Sequence, residues 1–258
     1  MGTKMDVKNE RFWLMQGDCL ERMKEIPDGS VDMVLTDPPY GTTACKWDSI
    51  IPFEPMWKQL KRVVKPNGAI VMTGRAQFTA KLICSNIKGY KHKWVWNKKQ
   101  SGSFALAKWM PLQIEEDVIV FTGGGERVNY YPIMRTGKMR KKGGSKKQIE
   151  TMGAGMKPGY YRYCDQYHPV NIIDIPNCSR KHERVHPTQK PVALMEYLIK
   201  TYTNEGETVL DFTAGSFTTG VACINTNRKG IMIEKDPHYF KIGSERVEKA
   251  YGTKNRIE

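Results

Sequence analysis

Hydrophobic and polar positions along the chain switch between a short, strand-like spacing and a helical one. "RFWLMQGD" reads as a strand that ends at Asp18, "CLERMKEIPDGS" as a short helix stopped by Pro-Asp-Gly, and Val31 to Thr36 as the next strand. After "DPPY", the stretch "PFEPMWKQLKRVVKPNG" puts Phe53, Met56, Trp57, Leu60, Val63 and Val64 on one helical face, and Lys-Pro-Asn-Gly stops that helix. "AIVM" follows as a strand, then "QFTAKLICSNIKG", "KHKWVWNK" and "EEDVIVFTG" as helix, strand and strand. From Gly123 to Arg184 the rhythm gives way to Gly, Lys, Arg and Tyr, in a segment longer than a compact core needs. It resumes with "KPVALMEYLIKTYTNEGE" as helix, "TVLD" as strand, a Gly/Thr loop, "VACINTNRK" as helix, "GIMIEKD" as strand and an amphipathic helix from Pro237. The pattern predicts an α/β fold with a doubly wound, mostly parallel sheet. It divides into residues 1–122 and 185–258 with an insertion at 123–184.

Bulk properties add a partner. The 258 residues, 40% of them hydrophobic, suffice for one large domain with an insertion. Lys and Arg number 41 against 27 Asp and Glu, and the net charge of +14 points to a polyanion such as nucleic acid. The six cysteines are scattered without a CxxC pair or zinc-type spacing, so no metal and no disulfide framework is expected, and a reducing cytoplasm fits. "MGTKMDVKNERFW" lacks an apolar signal core and no apolar run reaches membrane-spanning length, so the expectation is a soluble cytoplasmic protein without a membrane partner.

Candidate chemistry gathers at strand ends. Asp18, Asp37, Asp211 and Glu234 each close a predicted strand, and in open parallel α/β sheets ligands sit outside the strands' carboxyl ends. Acids also favour such turns simply as helix caps. The loop "LDFTAGSFTTG" lies between a strand and a helix, with Glu234 19 residues beyond Gly215, the spacing of an acid that binds a ribose. The loop is not GxGxxG, no GxxxxGK[ST] occurs, and "GAGMKPG" follows no strand. Carboxylates around a nucleoside without a diphosphate cradle fit S-adenosylmethionine better than NAD or ATP.

Asp37-Pro38-Pro39-Tyr40, the preceding "GDCLE", "HPTQKP" from His186 to Pro191 and the "DFTAGSFTTG" loop together resemble the motif set of DNA amino-methyltransferases. Their order, with DPPY first and the cofactor loop near the C-terminus, resembles the circularly permuted β group of that family. The resemblance implies a catalytic half at 1–122, a target-recognition insertion at 123–184 and a cofactor-binding half at 185–258. It also implies double-stranded DNA as substrate, and is compatible with a homodimer and a cognate restriction endonuclease. Transfer to an exocyclic amine needs no covalent nucleophile. Asp37 and the Pro38 carbonyl each accept an amine hydrogen, Pro38 and Pro39 fix the backbone, and Tyr40 offers a face to a flipped base. Cytosine C5 chemistry calls instead for a cysteine, usually after proline in that family, and no Pro-Cys occurs.

On the cofactor side the resemblance assigns Asp18 to the adenine amine and Glu234 to the ribose hydroxyls. The amides of Ala214, Gly215 and Ser216 and the ammonium of Lys190 take the methionine carboxylate. Cys19, Asp37, Asp211, Thr213 and Thr218 complete that wall. For Lys190 a solvated position ahead of the next helix is the alternative. The insertion carries Arg135, Lys138, Arg140, Lys141, Lys142, Lys146 and Lys147 without an acid between them, interleaved with tyrosines. These cations suit phosphates, in a loop expected to mould to a groove or stay disordered without DNA. Two residues depart from the family pattern: Thr213 takes the aromatic position, and Phe217 stands where related loops carry a second glycine. It either intrudes on the cofactor pocket, the expectation preferred here, or packs in the core. Two function classes result. One is an S-adenosylmethionine-dependent methyltransferase acting on adenine N6, with cytosine N4 as the alternative substrate in its place. The other is a methyltransferase-like DNA-binding protein weakened in cofactor affinity by Phe217.

Overall fold

The computed structural model describes residues 5–42, 48–102, 104–143, 161–177, 185, 189–254 and 256. Among the described residues there are eleven strands and six α-helices, and all but four of the strands, at 6–8, 135–143, 161–167 and 172–174, follow the predicted rhythm. They are β1 (Asp6–Lys8), β2 (Phe12–Gln16), α1 (Cys19–Arg22), β3 (Val31–Thr36), α2 (Phe53–Val63), β4 (Val64–Gly74), α3 (Ala76–Ser85), β5 (Tyr90–Gly102) and β6 (Gln113–Thr122). After them come β7 (Arg135–Gly143), β8 (Tyr161–Tyr167), β9 (Ile172–Asp174), α4 (Val192–Tyr202), β10 (Thr208–Asp211), α5 (Thr218–Asn225), β11 (Lys229–Glu234) and α6 (Pro237–Lys254).

Nine strands form one sheet in the order β1-β2-β11-β10-β3-β4-β6-β5-β9. The pairs from β2 through β4 are parallel, as is β5 with β9, whereas β6 runs antiparallel to both its neighbours and β1 to β2. Alternation along β3 shows why its apolar run is continuous. Met33 and Leu35 join one buried cluster and Val31 and Val34 the other, so both faces of the strand are covered. Leu194, Leu198 and Tyr202 of α4, Ala222 of α5 and Val247 of α6 pack into the first cluster. Met56, Trp57 and Leu60 of α2 and Phe78 and Leu82 of α3 pack into the second. Lys65-Pro66-Asn67-Gly68, expected only to end a helix, is instead an irregularity within β4: register with β3 jumps from Val31–Val64 to Met33–Ala69.

Strand order reverses between β3 and β10. From β3 the chain winds towards β4, from β10 towards β11, and a crevice opens at the carboxyl ends of the two neighbours.

The chain separates into two compact units. One comprises Met1–Tyr131 with Asn171–Glu258, the other Pro132–Val170. Within the 123–184 stretch, β9 therefore belongs to the main sheet, where it pairs with β5. The smaller unit holds the antiparallel pair β7–β8, with Arg140 opposite Cys164, Lys141 opposite Tyr163 and Lys142 opposite Arg162. The basic run from Arg135 to Lys142 is thus a paired strand, a correction to the expected mouldable loop. No helix among the described residues is long and apolar enough to cross a membrane.

Candidate active site

Asp37 emerges directly from the end of β3. Its Oδ1 accepts hydrogen bonds from the Tyr40 hydroxyl, at 2.7 Å, and from Thr73 Oγ1, and its Oδ2 accepts from Lys190 Nζ at 2.6 Å. The Tyr40 ring stacks on Phe78 with centroids 4.9 Å apart, so only one ring face is left for a base. Burial, reinforced by the charges of Asp37 and Glu116, raises the Tyr40 phenol well above its usual range and keeps it neutral. Pro38 is buried, and the Asp37 carbonyl accepts from Thr213 Oγ1 at 3.2 Å, which ties this turn to the loop after β10.

That loop is fixed by carboxylates. Asp211, buried at the end of β10, accepts from Thr36 Oγ1 at 2.7 Å, Thr219 Oγ1 at 2.6 Å and the Thr213 amide at 3.2 Å. Burial pushes its carboxyl up to about 6 against the pull of those threonines. Its oxygens therefore orient the loop rather than reach outward. Glu234, at the end of β11, accepts from the Gly215 amide at 2.7 Å and the Asp236 amide at 2.8 Å, and burial raises its carboxyl despite them. Gly215 has φ +52, a left-handed turn that suits glycine. Asp18 caps α1 through a 3.0 Å bond from the Leu20 amide and faces Lys235 at 3.2 Å, so the capping role and the rim position coincide.

All the expected catalytic and cofactor positions line one cavity of about 980 Å³: Asp18, Cys19, Asp37, Pro38, Pro39, Tyr40, Lys190, Asp211, Thr213, Ala214, Gly215, Ser216, Thr218 and Glu234. Burial pushes the Cys19 thiol up to about 12, which removes it as a thiolate.

Two expectations are corrected, and an open alternative for Lys190 is narrowed. Phe217 is fully buried away from the cavity lining, with its ring edge-on to Phe240 at 5.8 Å, so the preferred expectation of intrusion fails and the core alternative holds. It sits at φ +57 as the N-cap of α5, a left-handed position that explains glycine in related loops. Lys190 is 8% exposed, which excludes the solvated alternative, and its ammonium is directed at Asp37 and, at 3.3 Å, Glu116. The Ala214 amide bonds the Ile233 carbonyl and the Gly215 amide bonds Glu234, so two of the three amides assigned to a ligand are engaged within the fold.

Sequence reasoning missed Thr36, Thr73 and Glu116. The one available signal was "EEDVIV", where acids enter an apolar strand. The cations assigned to DNA belong to the smaller unit. Arg135, Lys138, Arg140 and Lys141 are exposed on β7, Lys142 is in the same strand, and Lys146 and Lys147 fall outside the described residues.

The donor set suits S-adenosylmethionine. Carboxylates on Asp18, Asp37 and Glu234 favour hydroxyls, an amine and a cation over phosphates, and the crevice lies at the switch point where nucleosides bind such sheets.

Comparison with known proteins agrees. Residues 31–245 match the DNA methylase family of N6/N4 methyltransferases. The DNA adenine methyltransferase YhdJ of Escherichia coli K12 is 31% identical over 264 residues, covering 94% of this chain and 84% of that protein. Among solved structures, the cytosine-N4-specific PvuII DNA methyltransferase superposes with a TM-score of 0.67 at 19% identity, over 96% of this chain and 92% of that one. The M1.HpyAVI–SAM complex gives a TM-score of 0.58 at 24% identity, over 90% and 97%. With the match spanning both sides of the crevice, the chain belongs to the N6/N4 DNA methylase family.

Proposed function

We propose that this protein methylates the exocyclic N6 of adenine in double-stranded DNA, with S-adenosylmethionine as donor. The observation that carries the reading is the Asp37 carboxylate, held by three donors at the end of β3 beside the Thr213–Ser216 loop. When bound, the cofactor supplies an electrophilic methyl group on a sulfonium. The protein's task is to hold the amine nitrogen in line with that methyl and free its lone pair.

The hydrogen-bond count says how. Each carboxylate oxygen accepts about two hydrogen bonds. Among the described residues, Oδ1 of Asp37 already takes Tyr40 and Thr73, whereas Oδ2 takes Lys190 alone. The remaining position on Oδ2 accepts one amine hydrogen and the Pro38 carbonyl the other. Both draw density towards nitrogen and disperse the positive charge that develops there. The exposed cavity-side face of Tyr40 stacks on the extruded base.

Asp18 and Glu234 hold the adenosine part of the donor, and the Ser216 amide with the mouth of the loop holds its amino-acid end. Cys19, Asp211, Thr213 and Thr218 shape this side, Asp211 by fixing the threonines around it. Residues 1–122 carry the catalytic Asp37–Tyr40 turn together with Asp18 and Cys19 of the cofactor wall, residues 185–258 carry the rest of that wall, and the cations of β7 serve a recognition insertion by neutralising phosphates. The acid in Asp-Pro-Pro-Tyr and the 31% identity to an enzyme named for adenine favour adenine over cytosine. DPPY before the cofactor loop resembles the order of the β group.

The test is transfer of labelled methyl from S-adenosylmethionine to duplex DNA. Wild-type protein incorporates label and Asp37→Ala does not, while both bind the duplex within a few-fold. Near-normal turnover by Asp37→Ala would sink the assignment.

A further inference from the structure

Behind Asp37 lies a row of charges, two of which, Lys98 and Glu116, are required by neither the motif set nor the methyl-transfer chemistry. Lys190 Nζ is 2.6 Å from Asp37 Oδ2 and 3.3 Å from Glu116 Oε2, and the other oxygen of Glu116 accepts from Lys98 Nζ at 3.0 Å. The side chains are 11% (Lys98), 13% (Glu116), 9% (Lys190) and 22% (Asp37) exposed, so the row runs from the sheet to the cavity, which Glu116, Lys190 and Asp37 all line, and is most exposed at Asp37. Its members come from four separated places. Lys98 is on β5, Glu116 on β6 opposite Trp96 and therefore diagonal to Lys98, Lys190 is just ahead of α4, and Asp37 follows β3.

Burying four charges is costly, and apolar residues of the same volume are often as stable or more so. Stability is therefore a weak reason for the row. Its alternating signs give a geometric one. An ammonium between two carboxylates is drawn to both, and Glu116 keeps Lys190 charged while it grips Asp37. Lys98 balances Glu116 in turn.

We propose that Lys190 is a positioning residue for methyl transfer, held charged by Glu116 so that it fixes one oxygen of Asp37 and leaves that oxygen a single position, aimed at the target amine. The inference rests on the methyltransferase reading above and adds to it a part for Lys190 other than contact with the cofactor. Groups facing Lys190 are consistent with this. Asp37 and Glu116 flank it, and the Tyr40 ring centre is 6.0 Å from Nζ. Burial by itself pushes the Lys190 ammonium down, but the charges of Asp37 and then Glu116 outweigh it and raise the group above the ordinary lysine range.

Two measurements test it. In the first, the ε-carbon of Lys190 is followed by NMR against pH in protein grown on ¹³C-lysine and assigned by its loss in Lys190→Met. This readout needs neither cofactor nor activity. Lys190 is expected to titrate above the surface lysines, and to move down in pH in Glu116→Gln and in Asp37→Asn. Titration together with the surface lysines, unmoved by Glu116→Gln, overturns the proposal even if the protein proves not to methylate DNA.

In the second, kcat, KM and calorimetric cofactor affinity are compared. Lys190→Met lowers kcat roughly 100-fold with cofactor Kd within about twofold, Lys190→Arg restores part of kcat, and Glu116→Gln brings the alkaline limb of kcat to lower pH. A tenfold or greater loss of cofactor affinity with kcat preserved would make Lys190 a cofactor ligand and end the positioning claim. If wild-type protein transfers no methyl group, the functional reading fails, and the NMR titration still decides the fate of the row.

Discussion

Replacing Phe217 by glycine restores the residue that related loops carry, yet the structure predicts a loss. The ring is 0% exposed and edge-on to Phe240 at 5.8 Å. A methyl carbon added at Gly243 of α6 would lie 2.5 Å from its Cγ, so the glycine makes room for the ring. Deleting a buried phenyl costs about 3–5 kcal/mol through lost burial and the cavity left behind. Against this, glycine relieves the left-handed backbone at φ +57, worth about 1 kcal/mol. The net loss is about 2–4 kcal/mol, or roughly 5–15 °C in Tm for a chain of this size. Urea unfolding measures it, and calorimetry under native conditions is expected to find cofactor affinity within about twofold of wild type. A double-mutant cycle sharpens the test. Gly243→Ala alone overpacks against the ring and costs about 1–3 kcal/mol. In a Phe217→Ala background the same change is neutral or stabilising, because alanine suits a helix better than glycine. Tighter cofactor binding by Phe217→Gly with undiminished stability, or a cycle with no coupling, would refute the packing described for this residue.

Other perturbations reach different parts of the molecule. Changing Lys138, Arg140, Lys141 and Lys142 together to alanine weakens binding to every DNA sequence alike and flattens the log–log salt dependence by about one unit per lost phosphate contact; an unchanged slope means that β7 only faces solvent. Glu234→Ala, which removes the acceptor for the Gly215 amide and the proposed ribose contact, is expected to weaken cofactor binding by roughly 10- to 100-fold in calorimetry. Asp211 has a carboxyl raised to about 6, so its contribution to stability is fully present below about pH 4 and is lost as pH rises through 6. Asp211→Asn should therefore reduce the fall in unfolding free energy across that window in urea titrations at stepped pH. The slope is lessened rather than abolished, because Glu234 is shifted in the same direction.

What could be read in advance followed from local pattern. A parallel strand covered on both faces writes a continuous apolar run, and the acid that stops it is visible to the eye, which is why Asp18, Asp37, Asp211 and Glu234 were legible and share one rim. Contacts between distant segments were not. The partners of Lys190 lie 153 residues away at Asp37 and inside an apolar strand at Glu116, so its solvated and ligand readings both looked reasonable. Phe217 was misread for a similar reason: its neighbours Phe240 and Gly243 sit on the last helix, and the sequence of the loop says nothing about them. The basic run of β7 reads as a loop in the sequence because Gly and Lys have low strand propensity; pairing with the tyrosine-bearing β8 overrides it.

The most direct test is the identity of the methylated base. Duplex DNA incubated with the protein and S-adenosylmethionine is digested to nucleosides and examined by mass spectrometry, beside a reaction with Asp37→Ala. N6-methyldeoxyadenosine formed by the wild type and absent from the variant is the predicted result. N4-methyldeoxycytidine would contradict the choice of base, and no methylated nucleoside from folded, DNA-binding protein would contradict the function assigned to the cavity.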